Sequence, residues 1–90
     1  MSVIVKTPPI LNEITHGQNS IEVTGSTFEE VLNNLDIQFP GFKRQLYDDA
    51  SNLLSIYEVY INGESAYPNE LSKPLKNGDE VSIAMLYMGG

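Results

Sequence analysis

The chain has no cysteine, a single histidine, and only five lysines and arginines against twelve aspartates and glutamates in 90 residues. Without cysteine there can be no disulfide, no thiolate metal site and no cysteine nucleophile. The formal charge of −7 opposes binding to phosphate backbones and anionic membranes, and it favours encounter with a basic protein surface. No nucleic-acid or membrane partner is therefore expected. His16 lies between Thr15 and Gly17 with no second metal-type ligand at a recognisable spacing, and it reads as a solvated loop histidine. Glycine-rich phosphate loops, nucleophile elbows and paired metal-ligand motifs are absent. Asp48-Asp49 should diverge as neighbours, and Glu29-Glu30 suits the first turn of a helix, where the dipole favours acids. The body of the chain thus does not read as an enzyme, and no metal or cofactor is expected to bind it. The start, Met1 to Lys6, is not a charged leader followed by an apolar stretch, and no run reaches membrane-spanning length. A cytoplasmic protein is expected.

What is present is enough for one small domain over residues 1–90, with a core just large enough to fold unaided and a flexible diglycine tail. Val3 and Val5 alternate with polar or outward positions until Thr7-Pro8-Pro9, where proline cannot continue a ladder. Ile21 and Val23 repeat the alternation, which predicts an N-terminal hairpin across the polar stretch from Asn12 to Asn19. The period then changes. Phe28, Val31, Leu32 and Leu35, with Phe39 beyond, share one helical face, Ser26 and Glu29 have capping-box spacing, and Pro40-Gly41 ends the helix. From Phe42 to Ser55 the pattern is weak: Phe42, Leu46 and Tyr47 suit one more amphipathic turn, and Asp48 to Asn52 an exposed loop. Tyr57, Val59 and Ile61 form another alternating strand, closed by the hairpin dipeptide Asn62-Gly63 before Glu64-Ser65-Ala66. Leu71 and Leu75 frame Lys73-Pro74. A turn at Lys76-Asn77-Gly78-Asp79 then launches a last strand with Val81, Ile83 and Met85 expected inward. These elements predict an α+β fold, a mixed sheet with one main helix packed across it.

Of the five tyrosines, Tyr47, Tyr57, Tyr60, Tyr67 and Tyr87, some suit a partner-facing surface, since tyrosine is enriched at interfaces. Tyr57 and Tyr60 have opposite parity in one strand, so at least one should turn from the core. Tyr87 follows the last strand and suits a partner contact. The chain closes on Gly89-Gly90, two residues without Cβ atoms, whose backbone can enter a channel closed to other residues.

The element order, the stretch Val59-Tyr60-Ile61-Asn62-Gly63-Glu64, the stretch Pro74-Leu75-Lys76-Asn77-Gly78-Asp79-Glu80-Val81-Ser82-Ile83 and the terminal Gly89-Gly90 together resemble the bacterial and archaeal sulfur carriers, the MoaD/ThiS family. The resemblance covers essentially the whole chain, including Pro9-Ile10-Leu11, Gly25-Ser26-Thr27 and Pro40-Gly41. It implies the ubiquitin-like β-grasp fold. The leading Pro-Ile-Leu and the long segment between Gly41 and Tyr57 look most like the carriers for cysteine synthesis and the longer relatives of the small subunit of molybdopterin synthase. One departure is the apolar Met85-Leu86-Tyr87-Met88, where family tails often carry proline and small residues; it leaves open which partner groove the tail fits, retains the terminal diglycine, and implies a tail that is sticky when free.

The resemblance implies a protein co-substrate rather than an enzyme, although the small chain of molybdopterin synthase could count as a subunit. An adenylating, E1-like partner would use ATP to activate the carboxylate of Gly90, and sulfur would then leave a thiocarboxylate there. Gly89 would be the channel residue, and Leu86, Tyr87 and Met88 the partner-binding anchor. Implied acceptors are a pyridoxal-phosphate cysteine synthase or the molybdopterin synthase large subunit, and the free chain is expected to be a monomer. Two other readings stay open. One is a ubiquitin-like modifier joined through Gly90 to lysines of other proteins, and the other is an interaction domain whose glycine pair is inert.

Overall fold

Val3 and Val5, the apolar positions of the first alternating run, are both fully buried along β1 (Ser2–Lys6) in the computed structural model, which describes residues 2–86. β2 (Ser20–Thr24) lies antiparallel to it, with Val3 opposite Val23 and Val5 opposite Ile21, as the hairpin reading requires. The connection is more ordered than its polar sequence suggests. A 3-10 turn at Pro9–Leu11 runs into the short helix α1 (Asn12–Thr15), which buries Leu11 and Thr15 and ends on His16 in the left-handed conformation. Thr15 Oγ1 donates to the carbonyl of Leu11 at 3.1 Å, so the buried hydroxyl is satisfied within the turn.

The main helix, α2 (Phe28–Gln38), buries Phe28, Val31, Leu32 and Leu35. Each such side chain contributes about 1.5–3 kcal/mol by leaving water. Its cap lies one residue later than the Ser26/Glu29 expectation. Thr27 is the N-cap, its Oγ1 accepting from the Glu30 N–H at 3.2 Å, and Glu30 Oε1 accepts in return from the Ser26 N–H and hydroxyl, both at 2.9 Å. Gly25, with φ 154°, passes so close to the helix that an added Cβ would sit 2.7 Å from Val31 Cγ2. The short helix α3 (Phe42–Leu46) follows Pro40-Gly41 and buries Phe42 and Leu46, which makes the weakly patterned amphipathic turn real.

The bonds from the Ser26 N–H and then its hydroxyl hold the Glu30 carboxyl below its ordinary value of 4.5. Because the folded pKa is the lower one, this contribution is fully present above the unfolded value and is lost as the pH falls through the folded one. Glu30→Gln is therefore expected to lower the thermal midpoint near neutral pH, with the gap to wild type closing as the pH drops below 4.5. Thermal melts across that range check it; a gap independent of pH would remove the charge from the account.

β3 (Tyr57–Ile61) turns through Asn62-Gly63, at φ 52° and 86°, into β4 (Glu64–Ser65), the left-handed pair that an Asn-Gly hairpin demands. A second 3-10 turn, Glu70–Ser72, leads to Pro74, bridged to Thr27, and then to β5 (Glu80–Met85). The five strands are ordered β2-β1-β5-β3-β4. β5 runs parallel to β1 and antiparallel to β3. The last strand is thus a middle one, and buried residues of the sheet, α2, α3 and the loops form one core. Asp79 ties its start to the hairpin. Its carboxylate accepts from Asn62 Nδ2 at 3.0 Å and from the Lys76 N–H at 2.8 Å, and these bonds lower its pKa in that order.

Val81 and Ile83 are buried as expected, but Met85 is 42% exposed and corrects the inward expectation. Pairing with β1 stops at Ser82, whereas β3 flanks β5 to Met85. The strand outruns the sheet on one side, and the alternation continues past the core it points to.

Candidate functional site

The tail leaves from the end of a strand held on both sides. β5 pairs with β1 from Glu80 to Ser82 and with β3 to Met85, and the Leu86 N–H then donates to the Ile56 carbonyl at 2.6 Å. A tail rooted in a central strand starts from a defined point and direction. Leu86, the one predicted anchor residue within the described part, is 38% exposed there. The predicted site residues Tyr87, Met88, Gly89 and Gly90 lie outside the described residues.

Exposed apolar side chains gather at this root. Ile56 (41% exposed), Tyr67 (74%) and Met85 join Leu86 among the few large apolar residues left to solvent. Beside them is an open groove of about 530 Å³ with Leu53, Leu54, Tyr57, Tyr67, Pro68 and Leu86 among its lining residues. Its wall exists because the loop after α3 is pinched: Tyr47 bridges Leu53, the Leu54 N–H donates to the Leu46 carbonyl at 2.7 Å, and Asp48 Oδ1 accepts from the N–H groups of Ala50 and Asn52. Asp48 is therefore a turn former, in line with the exposed loop expected from Asp48 to Asn52. Sequence reasoning did not find Leu53, Leu54 or Ile56. Their only signal is a run of apolar residues in a stretch with no period, which does not say which side will face solvent.

The tyrosines divide. Among the described tyrosines Tyr67 is exposed, and Tyr60 is half-buried on the face opposite Tyr57, as their parity requires. Tyr47 and Tyr57 are buried, which corrects any partner-facing role for them, and burial raises both phenols above their ordinary range. The Tyr47 hydroxyl has no hydrogen-bond partner among the described residues, and the charge of Glu70 raises its pKa further. Neither group is a proton carrier near neutral pH. His16 is exposed, with its ring 6.0 Å from that of Phe39, and it caps α1. Among the described residues no cluster of histidines and carboxylates could hold a metal ion, and no helix is long and apolar enough to cross a membrane. The site can grip and aim a tail. Among the described residues it brings together no acid–base pair or activated nucleophile.

The ThiS family model matches residues 7–90. The "Sulfur carrier protein CysO" of Mycobacterium tuberculosis is 31% identical over 93 residues, which span 100% of both chains. Among solved structures, the Amycolatopsis orientalis BexX/CysO complex contains a chain with a TM-score of 0.88 and 30% identity, covering 98% of this chain and 99% of that one. SAMP1 of Haloferax volcanii superposes with a TM-score of 0.81 at 25% identity, covering 100% of each. The mixed sheet crossed by one main helix is the β-grasp fold of these neighbours, as the sequence implies.

Proposed function

The chain belongs to the ThiS family and has the role of a sulfur carrier, and from that premise we propose that it carries sulfur as a thiocarboxylate on Gly90. A carboxylate resists nucleophilic attack because its charge repels the nucleophile and oxide is a poor leaving group. An adenylating partner overcomes this with ATP: the Gly90 carboxylate attacks the α-phosphorus, pyrophosphate leaves, and an acyl adenylate forms. Hydrosulfide, or a donor at its oxidation level, then adds to the carbonyl and expels AMP, with one proton released. The thiocarboxylate is a stronger nucleophile than the carboxylate and can be passed to an acceptor. The chain's own contribution is position. Gly89 and Gly90 pass through a channel as wide as a backbone, and the clamped root at Leu86 sets where that channel must begin.

The family match running to residue 90, and so across the glycine pair, carries this reading. Whole-length likeness to the CysO carriers favours cysteine synthesis, through a pyridoxal-phosphate cysteine synthase, over molybdopterin synthesis as the destination. The solved BexX/CysO complex, in which such a carrier is bound to another protein, supports a partner that receives the sulfur. In this reading the free chain is a cytoplasmic monomer and a co-substrate. A second reading is favoured by the likeness to SAMP1, of the small archaeal modifier proteins, namely conjugation through Gly90 to lysines of other proteins.

Intact mass separates the two after incubation of the untagged chain with its adenylating enzyme, ATP and sulfide, with and without a thiol-reactive alkylating agent. The expected result is a gain matching replacement of one oxygen by sulfur, mapped to Gly90 and trapped by the agent in a chain that has no cysteine. An unchanged mass with a competent enzyme present would overturn sulfur carriage, and ladders on other proteins would favour the modifier.

A further inference from the structure

Beyond its tail, the chain carries a groove of mixed apolar and acidic lining at the point where the tail begins. The groove at the root combines an apolar lining, Leu53, Leu54, Tyr67 and Leu86, with two carboxylates, Glu58 and Glu70, and none of the five lysines and arginines lines it. Glu58 is fixed in place by the Ser65 hydroxyl, which donates to its Oε1 at 2.6 Å. Its volume of about 530 Å³ falls in the range of sites that hold a few side chains. We propose that this groove docks the adenylating enzyme, receiving a segment that presents an apolar side chain beside a lysine or arginine, so that the body of the chain contributes recognition independently of the glycine tail. The inference rests on the thiocarboxylate mechanism proposed above.

Two arguments select that occupant. Four residues follow Leu86, and fully extended they reach at most about 14 Å. An enzyme holding Gly90 at its reacting centre must therefore bring its surface over the groove that Leu86 lines. Adenylation also gathers the polyphosphate of ATP and a carboxylate at one place, which requires cationic groups around the channel. An acidic rim next to the tail root is complementary to such a mouth. A second hollow, lined by Ile10, Ile14, Phe39 and Pro40 among others, includes no residue of the tail root. It serves as the control surface.

The test measures affinity and charging with purified chain and the purified adenylating enzyme of the same organism. Tyr67→Asp and Glu70→Lys, each verified as folded by its thermal melt, change exposed or half-buried groove positions and keep the tail intact. Each is expected to weaken binding at least about tenfold and to raise KM for the chain with little change in kcat, because docking is made equally in ground and transition states. A chain lacking Gly89 and Gly90 is expected to still bind and to compete with the intact one, and Ile10→Asp to bind as wild type. Groove variants that bind and charge like wild type, or a truncated chain that does not bind, would overturn the proposal. If the enzyme does not charge the unaltered chain, the thiocarboxylate reading falls and the docking proposal falls with it. The two failures are thus distinguishable.

Discussion

Deletion of Gly89 and Gly90 is expected to abolish the ATP-dependent mass gain while leaving the thermal midpoint unchanged. The deletion moves the terminal carboxylate back by two residues, about 7 Å of extended backbone, so a tail rooted at Leu86 by its bond to Ile56 stops short of the reacting phosphate. A displacement of 1 Å in a reacting group already costs on the order of 100-fold, so no measurable charging should remain. Gly89→Val keeps the length and tests width instead, because a branched side chain must enter a channel that in this mechanism admits only backbone. It should slow charging by at least about 100-fold. Stability should not move in either variant, since among the described residues the buried core lies between Val3 and Ile83 and neither glycine has a side chain to bury. Charging of the truncated chain at the wild-type rate would remove Gly90 as the covalent site.

The second large effect is structural. Phe28→Ala should destabilise the fold by about 3–5 kcal/mol, the usual cost of emptying a buried aromatic site. Phe28 is fully buried at the first turn of α2, and its N–H donates to the Lys73 carbonyl at 3.0 Å, so its ring sits where the helix meets the segment leading to β5. A chain of this size has about 5–13 kcal/mol in total, and the thermal midpoint should fall by about 15–30 °C. Ile37, in the same helix but 77% exposed, is the control: Ile37→Ala should stay within about 0.5 kcal/mol. A small shift for Phe28→Ala, or equal shifts for both, would contradict the packing described for α2.

The one-residue error at the helix cap shows where reading a sequence stops. Ser26-Thr27 and Glu29-Glu30 are both doublets, so the spacing of a capping box fits two registers equally well. Contacts far along the chain decide between them. The Leu75 N–H donates to the Ser26 carbonyl, Pro74 bridges Thr27, and the Lys73 carbonyl takes the Phe28 N–H. These bonds hold Thr27 extended, at φ −135° and ψ 162°, which leaves it as the cap. The helix α1 escaped notice for a different reason: at four residues it is too short to display a period. Met85 obeyed its alternation and still lies exposed, because alternation assigns a face and not the reach of the core beneath it.

By itself the sequence determined the local elements that matter most: the β1–β2 hairpin, the main helix with its buried face, the Asn62-Gly63 turn and the last strand leading to the glycine pair. Each is set by side-chain period or turn chemistry acting over a few residues, which is the range at which sequence neighbours are also spatial neighbours. Only the tertiary structure decided that β5 lies between β1 and β3, that the tail therefore starts from a clamped central strand, and that residues 52–55, 57–58, 67–70 and 86 close into one groove. Those arrangements join positions far apart in the chain. Their stability comes from packing and backbone pairing between surfaces that no local pattern records.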